Sequence, residues 1–332
     1  MENKLDLSPN FVSEIRQLLL EARQAVLRHV NSLMVKTYFE IGKRIVEQEQ
    51  QGNEQANYGT YLLETLSVEL SKEFGKGFSK RNLELIRKFY LCYRNAKSPI
   101  SQSISWTHYL HLMRITDENE RTFYEIETIA GNWSVRELSR HIDSALYTRL
   151  ALSKDKKKVR ELSTKGQLIE HPTDAIKDPY VLEFLNLPEH HVYSETELEQ
   201  ALIDKLEHFL LELGKGFTFV GRQVRFTFDE EHFRVDLVFY NRLLRCFVLI
   251  DLKIGKLKHQ DLGQMQMYVN YYDRFEKSDD ENPTIGIVLC KDKKDTLVEI
   301  TLPQNNNQIF ASRYLTILPS KEELKALVDR KE

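Results

Sequence analysis

The chain has 332 residues, 41% of them hydrophobic and 29% charged, enough for two domains that each bury a core and typical of a globular protein. A formal net charge of −3 gives no overall attraction for phosphate, so any nucleic-acid surface must be local. The apolar runs are too short to cross a bilayer, and Met1-Glu2-Asn3-Lys4 lacks a signal peptide's apolar centre.

Only Cys92, Cys246 and Cys290 are present, widely spaced, so neither a disulfide framework nor a paired zinc site can be built from them. A cytoplasmic protein is expected. Residues 8–151 read as an all-helical domain. Ile15, Leu18, Leu19, Ala22 and Val26 recur at helix spacing, as do Leu62, Leu63, Leu66 and Leu70, and then Leu83, Ile86 and Tyr90. Stops fall at Gly52-Asn53, Gly75 and Gly77, Ser98-Pro99 and Gly131-Asn132.

Two helix starts in this half suit phosphate. Ser79 caps one, with Lys76, Lys80, Arg81, Arg87 and Lys88 on or near it, and amides at a capped start favour an anion. Ser134 and Glu137 form a capping box on a helix whose outer surface is expected to carry Arg136, Arg140 and His141. Helix-turn-helix units are built this way, but protein contact or a merely solvated basic face stays open. Trp106 and Trp133 are assigned to the core.

Residues 152–179 are assigned to a linker: Lys154 to Arg160 is a basic run, and His171-Pro172 and Asp178-Pro179 interrupt regular structure. From 180 to 332 the pattern becomes mixed. A helix is expected at 195–213, strands at 216–228, 233–240 and 244–254, a helix at 260–273, strands at 284–290, 296–302 and 314–318, and a last helix from Ser320 capped by Glu323. The fold class is therefore α+β: a helical domain followed by an α/β domain on a mixed sheet.

The chemistry is concentrated in two strands of that sheet. Cys246 to Ile254 is apolar on both faces, as in a covered central strand. Charged groups there cost several kcal/mol if left unpaired, an order-of-magnitude figure. Asp251 and Lys253 nevertheless occur two apart and so share a face. Asp236 sits in the preceding strand. With a loop over 241–244, Asp236 faces position 249, and the two aspartates stand roughly 7 Å apart at the backbone. Carboxylates so placed suit Mg²⁺, with the Leu252 carbonyl as a further oxygen and Lys253 offsetting charge on a phosphate. An isolated Asp-x-Lys is ordinarily an ion pair at a sheet rim, so the spacing leaves both readings open.

The order of helix, Asp236 strand, Asp251-Leu252-Lys253 strand and helix resembles the PD-(D/E)XK nuclease fold. The whole chain resembles the YhcG family, on Phe209-Leu-Leu-Glu-Leu-Gly-Lys-Gly-Phe217, Val220-Gly-Arg-Gln223, Arg234-Val-Asp-Leu-Val-Phe-Tyr240, Gly263-Gln-Met-Gln-Met-Tyr268 and Ile285-Gly-Ile-Val-Leu-Cys290. Val235 replaces the motif's proline and Asp251 its glutamate. The resemblance implies a restriction-endonuclease-like domain and a metal-dependent nuclease, with Mg²⁺ (replaceable by Mn²⁺). It also implies DNA as the first candidate substrate, a defence or restriction setting, and the homodimeric state common among such enzymes. RNA cleavage and a catalytically inactive docking module are the rival readings. The resemblance further implies that a helical glutamate completes the metal site. Glu199 matches it best, while Glu195 and Glu197 are expected in solvent. Gln264 and Tyr268 resemble the family's flanking helix motif, with Gln264 toward phosphate or a metal-bound water, and Gln223 is a weaker candidate.

Overall fold

A computed structural model describes residues 9–51, 58–95, 104–152, 156–187, 193–318 and 320. The chain divides into compact units at Ser139/Arg140. The N-terminal unit is helical: α1 (Pro9–Gln51), α2 (Tyr58–Phe74), α3 (Lys80–Tyr93), α4 (Trp106–Leu112) and α5 (Glu118–Gly131), leading into α6 (Val135–Asp143). Ile45, Leu63, Leu83 and Ile86 form one core, against which Trp106 packs. At Gly42 a Cβ would lie 2.5 Å from the Ile86 carbonyl oxygen, so only glycine lets α1 approach α3 this closely. Ser79 caps α3 through Asn82 N–H, and Ser134 and Glu137 exchange the expected bonds at the start of α6. The apolar stripe over Ile15, Leu18, Leu19 and Val26 is helical but exposed.

In the C-terminal unit α7 (Leu146–Leu152), α8 (Lys156–Lys165) and α9 (Pro172–Ala175) precede a six-stranded sheet. Its strands are β1 (Tyr180–Val181), β2 (Phe217–Phe228), β3 (Glu231–Asn241), β4 (Cys246–Lys256), β5 (Ile285–Asp292) and β6 (Ile309–Leu315), in the order β1-β6-β5-β4-β3-β2. β2, β3 and β4 are antiparallel neighbours, and β4, β5, β6 and β1 run parallel. α10 (Glu195–Asp204) and α11 (Leu206–Leu213) cover one face through Leu198, Leu202, Phe209 and Leu213. α12 (His259–Tyr271) and α13 (Asp295–Thr301) cover the other through Leu262, Met265, Val269 and Leu297. A parallel sheet needs both faces covered, which explains why β4 and β5 are apolar throughout their centres.

Three sequence expectations change here. The helix at 195–213 is broken at Lys205, whose backbone leaves the helical region and whose ammonium bonds the Phe184 carbonyl; the break lets both halves turn their leucines to one core. The strand expected at 296–302 is instead the helix Asp295–Thr301, closed by the Leu302 N–H on the Val298 carbonyl at 3.0 Å, with Leu297, Val298 and Leu302 packed on the α12 core. The last strand spans Ile309–Leu315, earlier than expected, where Asn306 closes its start with hydrogen bonds to Ile309. The helix expected from Ser320 lies outside the described residues.

The segment 152–179, expected as a linker that lies against a neighbour, packs on the C-terminal unit. Leu162, Ala175 and Lys177 are buried, and Asp178 accepts from the Arg313 N–H. The division also falls earlier than residue 151, and an ion cluster explains why. Glu212, at 0% exposure, takes Arg149 Nη1 at 2.5 Å and Nη2 at 3.3 Å and the Val181 N–H at 2.9 Å. Arg140 lies 3.5 Å from it and bonds Glu183 at 3.0 Å, and Lys177 bonds its carbonyl oxygen. Residues 140 and 149 are thereby fastened to α11 and β1. Arg140 is thus an internal ion-pair residue and not part of an outer basic surface, and His141 is buried beside it.

Burial alone would raise the Glu212 carboxyl; Arg149, with Lys177 and Arg140 behind it, outweighs that and holds it well below the usual range. Its contribution is full above the ordinary glutamate value near pH ~4.3 and is lost as pH falls through the lower folded value. Glu212→Gln, leaving buried cations uncompensated, is expected to cost about 3–5 kcal/mol in denaturant unfolding and to flatten the acid side of the stability–pH curve.

Candidate active site

The central feature is an interruption in a ladder. β3 and β4 stay paired from Asn241–Cys246 to Leu237–Ile250 and no further. Continuing that register would set Asp236 level with Asp251, not facing position 249. The connecting loop is 242–245: Asn241 stays paired with Cys246 while its Oδ1 accepts the Leu243 and Leu244 N–H groups, and Arg245 adopts a left-handed φ of 50°. Moving the loop by one residue shifts the register by two. Beyond Ile250 the Asp236 side chain substitutes for the missing ladder bond, with Oδ2 accepting the Leu252 N–H at 2.8 Å.

The other Asp236 oxygen meets Gln223 of β2. Gln223 holds a left-handed φ of 48°, sparsely populated for any residue but glycine and costing about 1–3 kcal/mol. From there its Nε2 donates to Asp236 Oδ1 at 3.0 Å and to Glu199 Oε2 at 2.5 Å. Glu199, on α10, is 6% exposed because its neighbours Leu198 and Leu202 press that helix onto the sheet. Burial raises its carboxyl, with Asp236 adding to the shift and the Gln223 bond opposing it.

Asp251 is buried on β4. Its Oδ2 is 2.8 Å from Lys253 Nζ, an ion-pair contact, but no group gives that oxygen a well-aligned hydrogen bond. Burial first, and then the negative charge of Asp236, pushes its carboxyl up to about 7 against the pull of Lys253. Burial would lower the Lys253 ammonium; Asp251 reverses this and raises it, aided by Glu195 at 3.7 Å. Glu195 is exposed, as expected, and reaches the rim of the cluster only through Lys253, while Glu197 caps α10 through Ser194.

This donor set fits a hard divalent cation: carboxylates that repel each other, and a buried oxygen without an aligned donor. Among the described residues no three carboxylate, histidine or cysteine side chains are already gathered as a cage. The Gln223 amide carries the positive end of its dipole to Glu199 and Asp236, and Lys253 does the same for Asp251 with a full charge.

On α12, Gln264 donates to the Tyr268 hydroxyl, and Tyr268 is buried. Tyr268 packs in one core with Val235, which precedes Asp236, and with Leu249, two residues before Asp251 on β4, so this pair borders the cluster; burial raises the Tyr268 phenol, and Asp251 and Asp236 both add to that shift. Leu252 is buried, and its N–H serves Asp236. In the N-terminal unit Lys76, Arg81 and Arg136 are exposed, whereas Lys80 is paired with Glu64 at 2.6 Å. Sequence reading missed Arg225 and Arg234. They sit directly opposite each other across β2 and β3, both exposed and without an ion pair among the described residues. Like charges in that position destabilise a hairpin. Their strand pairing shows only once β2 and β3 are in register.

The family description "YhcG PDDEXK nuclease domain" matches residues 173–329, and "DUF1016 N-terminal domain" matches 14–149. The chain is 39% identical to the YhcG protein of Escherichia coli (strain K12), over 93% of this chain and 90% of that protein. A crystal structure of a repair endonuclease from Pyrococcus abyssi overlaps 38% of this chain and 49% of its own at 14% identity and a TM-score of 0.26, too loose a likeness to bear on the site. No described helix is long and apolar enough to cross a membrane. On sequence and domain order alike, the chain belongs to the YhcG family, with a DUF1016 N-terminal domain ahead of a PDDEXK nuclease domain.

Proposed function

We propose that the chain is a Mg²⁺-dependent DNA endonuclease whose reaction centre is Asp236, Asp251 and Lys253, with Glu199 completing the cation's carboxylates and the Leu252 carbonyl as a further oxygen. The observation that carries this reading is Asp251, buried beside a second carboxylate and a lysine where the central strands part. A fold selected for stability alone would not keep that repulsion. When bound, the ion supplies Lewis acidity and a nucleophilic water at neutral pH.

The chain's own residues do the rest. Lys253, kept charged by Asp251, donates toward the negative charge that grows on phosphate. Gln223 orients Glu199 and Asp236 together. Gln264, steadied by Tyr268, presents its amide toward phosphate or a bound water. Arg225 and Arg234 on the hairpin, and Lys76, Arg81 and Arg136 of the N-terminal unit, supply backbone contacts.

Plasmid DNA and a structured RNA incubated with and without Mg²⁺ test this. Metal-dependent DNA cleavage that Asp251→Ala lowers by at least about a hundredfold is expected. Absence of cleavage on either polymer would sink the reading, and cleavage of RNA alone would replace DNA in it. Thermal melts give a readout besides activity. In chelator, Asp251→Asn should melt above the wild type by roughly 0.5–2 kcal/mol of added stability, because a repelled charge is removed. Mg²⁺ should then stabilise only the wild type. For the hairpin, Arg225→Gln with Arg234→Gln should lower the slope of log affinity against log salt by about 2 on duplex DNA; an unchanged slope would remove these arginines from the interface.

A further inference from the structure

One cavity of the C-terminal unit lies outside the acidic cluster. It opens between the tip of the β2–β3 hairpin and the far end of α12, with a volume of about 290 Å³. Its wall is aromatic. Phe226 stacks on Tyr271 with centroids 4.1 Å and planes 24° apart, and Tyr271 meets Phe275 at 5.1 Å. Phe228 and Phe275 remain 55% and 61% exposed on this wall. Large rings left in water around a single cavity mark a surface that something covers.

The polar lining narrows what that is. Gln266, Asn270 and Arg274 follow one another at four-residue spacing on the chain and line the same cavity. Gln266 Nε2 donates to Asn270 Oδ1 at 3.2 Å, which leaves Gln266 Oε1 as an acceptor and Asn270 Nδ2 as a donor. Arg274 has no hydrogen bond or ion pair among the described residues. Stacking rings, an acceptor beside a donor and an unpaired guanidinium answer the face, the edge and the phosphate of a nucleotide. An acidic peptide would use the guanidinium but not the rings, and an acyl chain would leave the amides unused.

The cavity also adjoins the acidic cluster. Phe226 meets Tyr268 edge-on at 5.5 Å and 88°, and Tyr268 carries the bond from Gln264. A single ring therefore separates this wall from the residues that border Asp251.

We propose that this cavity is a subsite for an unpaired nucleobase of the substrate. The inference rests on nucleic acid being the substrate, and it deepens that reading. A base inside a duplex is stacked on both faces, so a ring-lined cavity beside the centre favours strands whose bases are free to leave the stack: single strands, flaps or mismatches.

The test uses the full chain carrying Asp251→Asn, so that binding is read without cleavage, and a short single-stranded oligonucleotide containing one 2-aminopurine. Binding should quench the probe, and a duplex of the same sequence should compete poorly. Phe228→Leu with Phe275→Leu keeps apolar bulk but removes the two exposed rings, leaving Phe226 stacked on Tyr271. It should sharply reduce the quench and weaken binding about tenfold, the loss of one stacked base. With Asp251 restored, the same pair should raise KM on single-stranded DNA and leave kcat unchanged. Unaltered quench and affinity in the leucine variant would overturn the subsite, and so would a change confined to its oligomeric state by light scattering. Ring-dependent quenching without wild-type cleavage would keep the subsite and defeat the nuclease reading; Asp251-dependent cleavage without quenching would do the reverse.

Discussion

Everything at the candidate centre depends on where β3 and β4 stop pairing. A continued ladder would bury two aspartates opposite each other with their backbones fully occupied. Because it stops at Leu237–Ile250, the Leu252 N–H is free to bond Asp236, which fixes one carboxylate with its second oxygen toward Gln223. Asp251 then has only Lys253 to offset the loss of water. Desolvation and like-charge repulsion act in the same direction on it, and one ammonium does not cancel both. That imbalance is the local condition in which a cation is favoured.

The rest of the unit holds this interruption in place. α10 and α11 press Glu199 toward the sheet on one face, and α12 brings Tyr268 and Gln264 to the other. All three helices stand on the apolar faces of the sheet, so they have little freedom to slide. The Glu212 cluster anchors the 140–181 segment to α11 by a different means. Glu212 and Arg149 are fully enclosed, and the surrounding cations hold the Glu212 carboxyl below its usual range, whereas burial and Asp236 push that of Asp251 above its own. One buried carboxylate is over-compensated by its neighbours and the other under-compensated.

The β2–β3 hairpin gives the centre its reach. Past the point where β4 leaves, β2 and β3 continue as a two-stranded arm to Phe228 and Glu231. Arg225 and Arg234 pair across it, and Phe226 joins the aromatic wall over α12. Charge and stacking surfaces thus leave the acidic cluster on the same element.

Much of this was legible in the sequence. The residue pattern located the four central strands and most helices, and a charged pair in an apolar strand singled out Asp251 and Lys253, because charge in such a run is costly wherever the strand packs. Local pattern failed where the deciding contact is distant. Residues 296–302 look like a strand by composition, and the helix Asp295–Thr301 found there packs on the α12 face. Arg140 looks like a surface cation on an amphipathic helix, and Glu183 and Glu212 draw it inside. Gln223 and Glu195 gain their places only when β2 and α10 are set against β3 and β4. The sequence by itself determined which charged residues fall in apolar runs and which runs must be buried, since charge and hydropathy are properties of the residues. Register, and with it the two-residue shift that brings Asp236 level with Asp251, was decided only by tertiary structure, because it depends on Asn241 and Arg245 closing the loop at one length.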